Sequence, residues 1–186
     1  MLKLAIVACV WLGAYAQTTT QPSWSSTSIT LAVPDPANVP AEVMTEVIYS
    51  SLLERFERNE AEADRVEAKG LDPLHKTRKW LQLQTGLTDQ EFASVRPILL
   101  HAISETKASK ARAEDAFKKV KDANKGEALT PEQKHMLGPL TAERGQITLA
   151  HVQQLEAALG SSRFQQFDQA VRTLPGQRIT VVPLKK

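Results

Sequence analysis

The sequence predicts an all-α fold, a helical hairpin or bundle of four to five helices with disordered ends. Three observations carry this. The stretch Leu129-Thr130-Pro131-Glu132-Gln133 opens a long helical pattern that stops at Ala158-Leu159-Gly160. A near copy stands upstream at Leu87-Thr88-Asp89-Gln90-Glu91. Apolar residues make up 42% of the chain but aromatics only 5%, a balance that favours packed amphipathic helices over a sandwich of strands.

The capping argument is local. Thr130 is an N-cap, Pro131 suits the first helical turn, and Gln133 reaches back to complete a capping box. Thr88 and Glu91 make the same box, and Gly160 supplies the left-handed residue that commonly ends a helix. Two capped starts, each feeding a long helix, imply a hairpin.

Residues 1–16 read as a secretory signal peptide. Lys3 is the basic region, Leu4 to Gly13 the apolar run, and Ala14-Tyr15-Ala16 a small-x-small cleavage site. That run is about half the ~20 residues needed to span a bilayer, so no integral membrane segment is expected after cleavage. The expected address is periplasmic or secreted. Cys9 is the only cysteine and falls in the cleaved segment, so stability must come from helix packing without a disulfide.

Residues 17–40 are rich in Thr, Ser, Gln and Pro and read as a disordered linker, with Trp24 and Ile29 to Val33 its only apolar points. The helical domain spans 41–174. In its first helix Met44, Ile48, Leu52 and Phe56 recur every four residues, with Val43 and Val47 alongside. The charge run that follows reads as a solvated face, with Glu54–Arg58 and Glu62–Arg65 spaced for helical ion pairs. Lys69-Gly70 ends that helix. Asp72-Pro73 starts a shorter one carrying Leu74, Trp80, Leu81 and Leu83 to Thr85-Gly86, with Trp80 as a core anchor.

The third helix runs from Asp89 to about Lys121, with Phe92, Val95, Leu99 and Ile103 on its apolar face and a kink expected at Pro97. The fourth opens at Thr130, with a break or kink at Gly138-Pro139 and a seam of Leu140, Ile147, Leu155 and Ala158. A terminal helix from Ser162 to about Leu174 bears Phe164, Phe167 and Val171. The tail, 175–186, contains Ile179-Thr180-Val181-Val182, which has strand propensity but no visible partner.

The formal charge of +2 gives no field that points to nucleic acid. The histidines are His75, His101, His135 and His151, and none forms a His-x-x-x-His pair. His101 and Glu105 stand one helical turn apart, a two-ligand set that lacks partners from another helix. His151 falls on the seam of the fourth helix and reads as a hydrogen-bonded core or interface histidine. No metal site and no cofactor are therefore assigned. No Gly-x-Ser-x-Gly, no Cys–His couple and no phosphate loop is present in the sequence, and the reading is that the chain is not an enzyme.

The Leu129–Gln133 stretch matches the LTxxQ motif of the Spy/CpxP family of periplasmic proteins, and Leu87–Glu91 departs from it only where Glu91 replaces Gln. The resemblance covers roughly 87–174. A looser likeness joins the chain to uncharacterised exported helical bacterial proteins. The family resemblance implies a thin hairpin, coiled-coil-like, that dimerises into a curved cradle. It also implies a role in envelope stress, as a chaperone-like binder or a sensor's adaptor. On that resemblance Leu87, Thr88, Glu91, Leu129, Thr130 and Gln133 carry over as fold determinants, not catalytic residues.

Three functions follow as expectations. The first is an exported, ATP-independent binding protein whose partners are other proteins, held on apolar patches of the third and fourth helices. The second is a structural, self-associating envelope protein. The third is a metal-responsive protein, which needs His101, His135 or His151 brought together with carboxylates.

Overall fold

The apolar stripe that begins after Pro40 becomes helix α1, Ala41–Glu67, in a computed structural model that describes residues 27–33, 35–72, 78–125, 128–175 and 177–183. Val47, Ile48, Leu52 and Phe56 are buried along one face, as their spacing dictates. Glu42 in the first turn and Arg65 in the last suit the helix dipole. Helix α2 is short, Trp80–Thr85, and ends where Gly86 takes the left-handed conformation and donates its N–H to the Gln82 carbonyl at 2.8 Å. Helix α3, Asp89–Ala123, and helix α4, Pro131–Leu159, are long; α5, Ser161–Arg172, follows directly after Gly160. The predicted class is therefore the observed one: the described chain is mostly helical. No helix among the described residues is long and apolar enough to cross a membrane.

Pro97 and Pro139 both lie inside helices that continue through them as single elements, so Gly138-Pro139 does not break α4. The expected seam of α4 holds only in part. Leu155 is buried, together with Thr148 and His151, whereas Ala158 is exposed. The predicted start of the second helix at Asp72-Pro73, with Leu74 and His75, runs into residues 73–77, outside the described residues, as do the signal segment 1–16 and Trp24.

One element goes beyond the helical expectation. Thr27–Val33 forms strand β1, and Gln177–Pro183 forms strand β2; they pair in parallel with Ile29 opposite Ile179 and Leu31 opposite Val181. The tail that had no visible partner finds one in the stretch read as a linker. A two-stranded sheet has only edges, so Pro183 is tolerated at its end, opposite Val33.

The chain divides into two compact units. The first contains β1, β2, residues 105–123 of α3 and residues 131–147 of α4. Here Leu31, Val33 and Leu137 are buried, with Thr106 and Ser109 as buried polar groups. Glu143 accepts from Ser109 at 2.9 Å and Arg112 at 2.7 Å, fixing the two helix segments as an antiparallel hairpin.

The second unit contains 42–104 and 148–175. Phe56 meets Phe92 edge to face at 6.4 Å, joining α1 to α3. The Tyr49 hydroxyl donates to Asp168 at 3.0 Å, joining α1 to α5, and burial holds its phenol well above the ordinary tyrosine range. Trp80 is buried as a core anchor, with the Arg55 guanidinium 4.8 Å from its ring centre. The charge run of α1 is not wholly a solvated face. Glu60 is buried at 6% exposure and takes hydrogen bonds from Arg78, at 3.2 Å, and from Arg96. The spacing of α1 places Glu60 one turn beyond Phe56 on the inward stripe, and two arginines offset the burial of its charge.

Candidate functional site

The motif residues take up two capping boxes. At the start of α3 the Thr88 N–H donates to Glu91 at 2.7 Å, and the Glu91 N–H donates to the Thr88 hydroxyl at 3.2 Å. At the start of α4 the Thr130 N–H donates to Gln133 at 2.9 Å, and the Gln133 N–H returns to the Thr130 hydroxyl at 3.3 Å. Each box satisfies two amides that a helix start leaves without intrahelical partners. Leu87 is buried beside the first box; Leu129 is half-buried beside the second.

Both boxes reach further than the sequence suggests. Arg163 of α5 donates through Nε to Glu91 at 2.7 Å and through Nη2 to the Gly86 carbonyl at 2.8 Å. Arg163 and then the Thr88 amide hold the Glu91 carboxyl down at about 2. In the second box, the Gln133 carboxamide pairs with that of Asn124, at 2.6 and 2.7 Å, and closes the mouth of the α3–α4 hairpin. Glu132 also sits below the ordinary carboxylate range, held by its own backbone amide and the Thr130 hydroxyl. Neither Arg163 nor Asn124 was singled out from sequence. Their partners are 72 and 9 residues away, and no local spacing announces such pairs.

A charged cleft lies beside Arg78, Lys79, Glu67, Asp72 and Asp89. Arg78 is bound to Asp64 and Glu67, and Lys79 to Asp89, so its charges largely neutralise one another.

Of the histidines, His135 is exposed on α4 and His75 lies outside the described residues. His101 and His151 are brought together from α3 and α4, both within the second unit. Nε2 of His151 stands 3.2 Å from Nδ1 of His101, with the rings tilted 62°. His151 is buried and His101 is exposed. Glu105 follows His101 by one turn of the same helix, and the ligand atoms of His101, Glu105 and His151 all lie within 4.8 Å of one another. The sequence reading had the His101–Glu105 half of this group, and took His151 as a core or interface histidine that could join a metal set only if the fold brought it together with carboxylates. The missing link was tertiary: only the pairing of α3 with α4 sets His151 against His101.

Comparison with models of protein families, with curated proteins and with solved structures gives no match.

Proposed function

We propose that the chain is an exported, non-enzymatic binding protein that holds partially unfolded proteins, without ATP, on the α3–α4 hairpin. The observation that supports this reading is the exposure of large apolar side chains on both hairpin helices of the first unit. Phe117 on α3 is 45% exposed and Met136 on α4 is 63% exposed. Isolated exposed apolar residues are common, but these two stand among charged neighbours. Lys118 and Lys119 follow Phe117, and Lys134 precedes Met136. An apolar contact rimmed by lysine and carboxylate suits reversible capture of non-native chains. Methionine adds adaptability to such a surface.

The hairpin itself is tied by Asn124–Gln133 and Arg112–Glu143, so it can present these side chains from a fixed frame. The LTxxQ resemblance to Spy/CpxP proteins and the signal-like residues 1–16 favour the same role and an envelope address. Glu91 at the first cap and Glu143 on the hairpin are engaged in structural hydrogen bonds, which favours binding over catalysis.

The test is suppression of aggregation of an unfolding reporter protein by the purified protein, without nucleotide. Suppression near one-to-one, lost in Phe117→Ser with Met136→Ser, supports the proposal. No suppression, together with a concentration-dependent rise in mass by sedimentation, moves the function to self-association through the same side chains.

A further inference from the structure

We propose that His101, Glu105 and His151 form a binding site for one divalent transition-metal ion, with zinc as the reference ion. The donor set is the first argument. Two imidazoles and one carboxylate are the ligands preferred by zinc and its first-row neighbours, and a three-ligand set leaves a fourth position for water. The geometry is the second. Two nitrogens each ~2.0–2.1 Å from a tetrahedral zinc stand ~3.3 Å apart. The observed separation of His151 Nε2 and His101 Nδ1 is 3.2 Å. These two ligands need no rearrangement of their helices to accept an ion.

Glu105 completes the set. Its carboxylate lies within 4.8 Å of both ring nitrogens, and its flexible side chain can close the remaining ångström or so. Burial is arranged usefully. His151 is fixed in the interior, while His101 is exposed and gives an ion and its water a way in. The competing account is that the two imidazoles share only a hydrogen bond, for which one ring donates and the other accepts. That account gives Glu105 no part, which is where the two can be separated.

This site is independent of client binding, because Phe117 and Met136 contribute nothing to it. Its consequence is a clamp. An ion held by His101 on α3 and His151 on α4 binds the folded protein and not the separated helices, and so raises the melting temperature as its concentration rises.

The experiment is titration of the purified, metal-free protein with zinc chloride by calorimetry, with cobalt as a spectroscopic substitute. The expected result is one ion per chain, a rise in melting temperature, and cobalt bands of a four-coordinate site. His101→Ala and Glu105→Gln are suitable variants because both side chains reach solvent, and circular dichroism checks their helicity. Each should weaken zinc at least ~10-fold, since even outer-shell changes at metal sites cost that much. His135→Ala, on an exposed turn of α4, should leave the affinity unchanged. No saturable binding overturns the proposal, as does equal affinity in wild type and His101→Ala. Loss with His101→Ala but none with Glu105→Gln overturns the three-ligand site and leaves a histidine pair.

Discussion

The guanidinium of Arg163 rests on the carboxylate of Glu91, with Nε 2.7 Å from Oε1 and Nη2 3.2 Å from Oε2. A residue of the last helix thus locks the cap of α3. Glu91 holds the place in the first box that Gln133 holds in the second, and the pairing with Arg163 gives that difference a physical reason. Glutamine can close the box but carries no charge for Arg163.

Glu91→Gln should therefore keep the cap and lose the ion pair. Its carboxyl is held at about 2 in the folded chain, against an ordinary 4.5. A depressed carboxyl contributes stability that is fully present above 4.5 and disappears as pH falls towards 2. The expected cost at pH 7 is about 1 kcal/mol, in keeping with a charge-assisted pair that is partly open to water. Urea midpoints of wild type and variant should differ at pH 7 and converge near pH 2. Parallel curves over the whole range would assign the cost to the cap instead.

The Glu60 carboxylate is the buried hub between Arg78 and Arg96. Its removal takes the carboxylate from between two partly buried guanidiniums, and although Arg78 keeps Asp64 and Glu67, this is more damaging than loss of an exposed pair. Glu60→Ala is expected to cost ~3 kcal/mol, the lower end of the ~3–5 kcal/mol typical of a broken buried pair, because both arginines retain some solvent. Glu62→Ala, which breaks the exposed Glu62–Arg65 pair, should cost far less, since solvent screens both charges. Chemical denaturation of the two variants side by side checks the ranking.

At the second cap, Thr130→Ala removes the hydroxyl that accepts the Gln133 N–H and should cost about 1 kcal/mol. Asn124→Ala removes both amide bonds to Gln133 and should add its own loss, without abolishing the box. The two sites share Gln133, so their costs should not be additive in a double-mutant cycle. An unchanged melting temperature in Thr130→Ala would remove the box from the stability of α4.

What the sequence made legible was local. Thr88, Glu91, Thr130 and Gln133 announce themselves because a capping box is written in four consecutive residues. Ile48, Leu52 and Phe56 do so because a helix face repeats every turn. Glu60 was hidden by its charged neighbours, since composition cannot show which member of a charge run turns inward. Arg163, Asn124 and the His101–His151 pair depend on which helices meet, and that is decided by tertiary packing. Leu31 and Val33 were hidden for a different reason. A polar, proline-rich setting diluted a short apolar alternation whose partner lies near the other end of the chain.

That last segment yields the sharpest test of the sheet. Leu31 is 1% exposed and Thr30, its neighbour on the opposite face, is exposed. A strand sends successive side chains to opposite faces, so one substitution should be costly and the adjacent one nearly silent. Leu31→Ala removes buried methyl groups and leaves a cavity, with an expected cost of ~2–5 kcal/mol. Thr30→Ala should change stability by no more than ~0.5 kcal/mol, as an exposed substitution does. Deletion of residues 177–183 should also destabilise, because it removes every ladder partner of β1, Val181 opposite Leu31 among them. Equilibrium unfolding in urea measures all three. A silent Leu31→Ala would mean that 27–33 is a spacer, and that the parallel pairing with the tail contributes nothing to the folded protein.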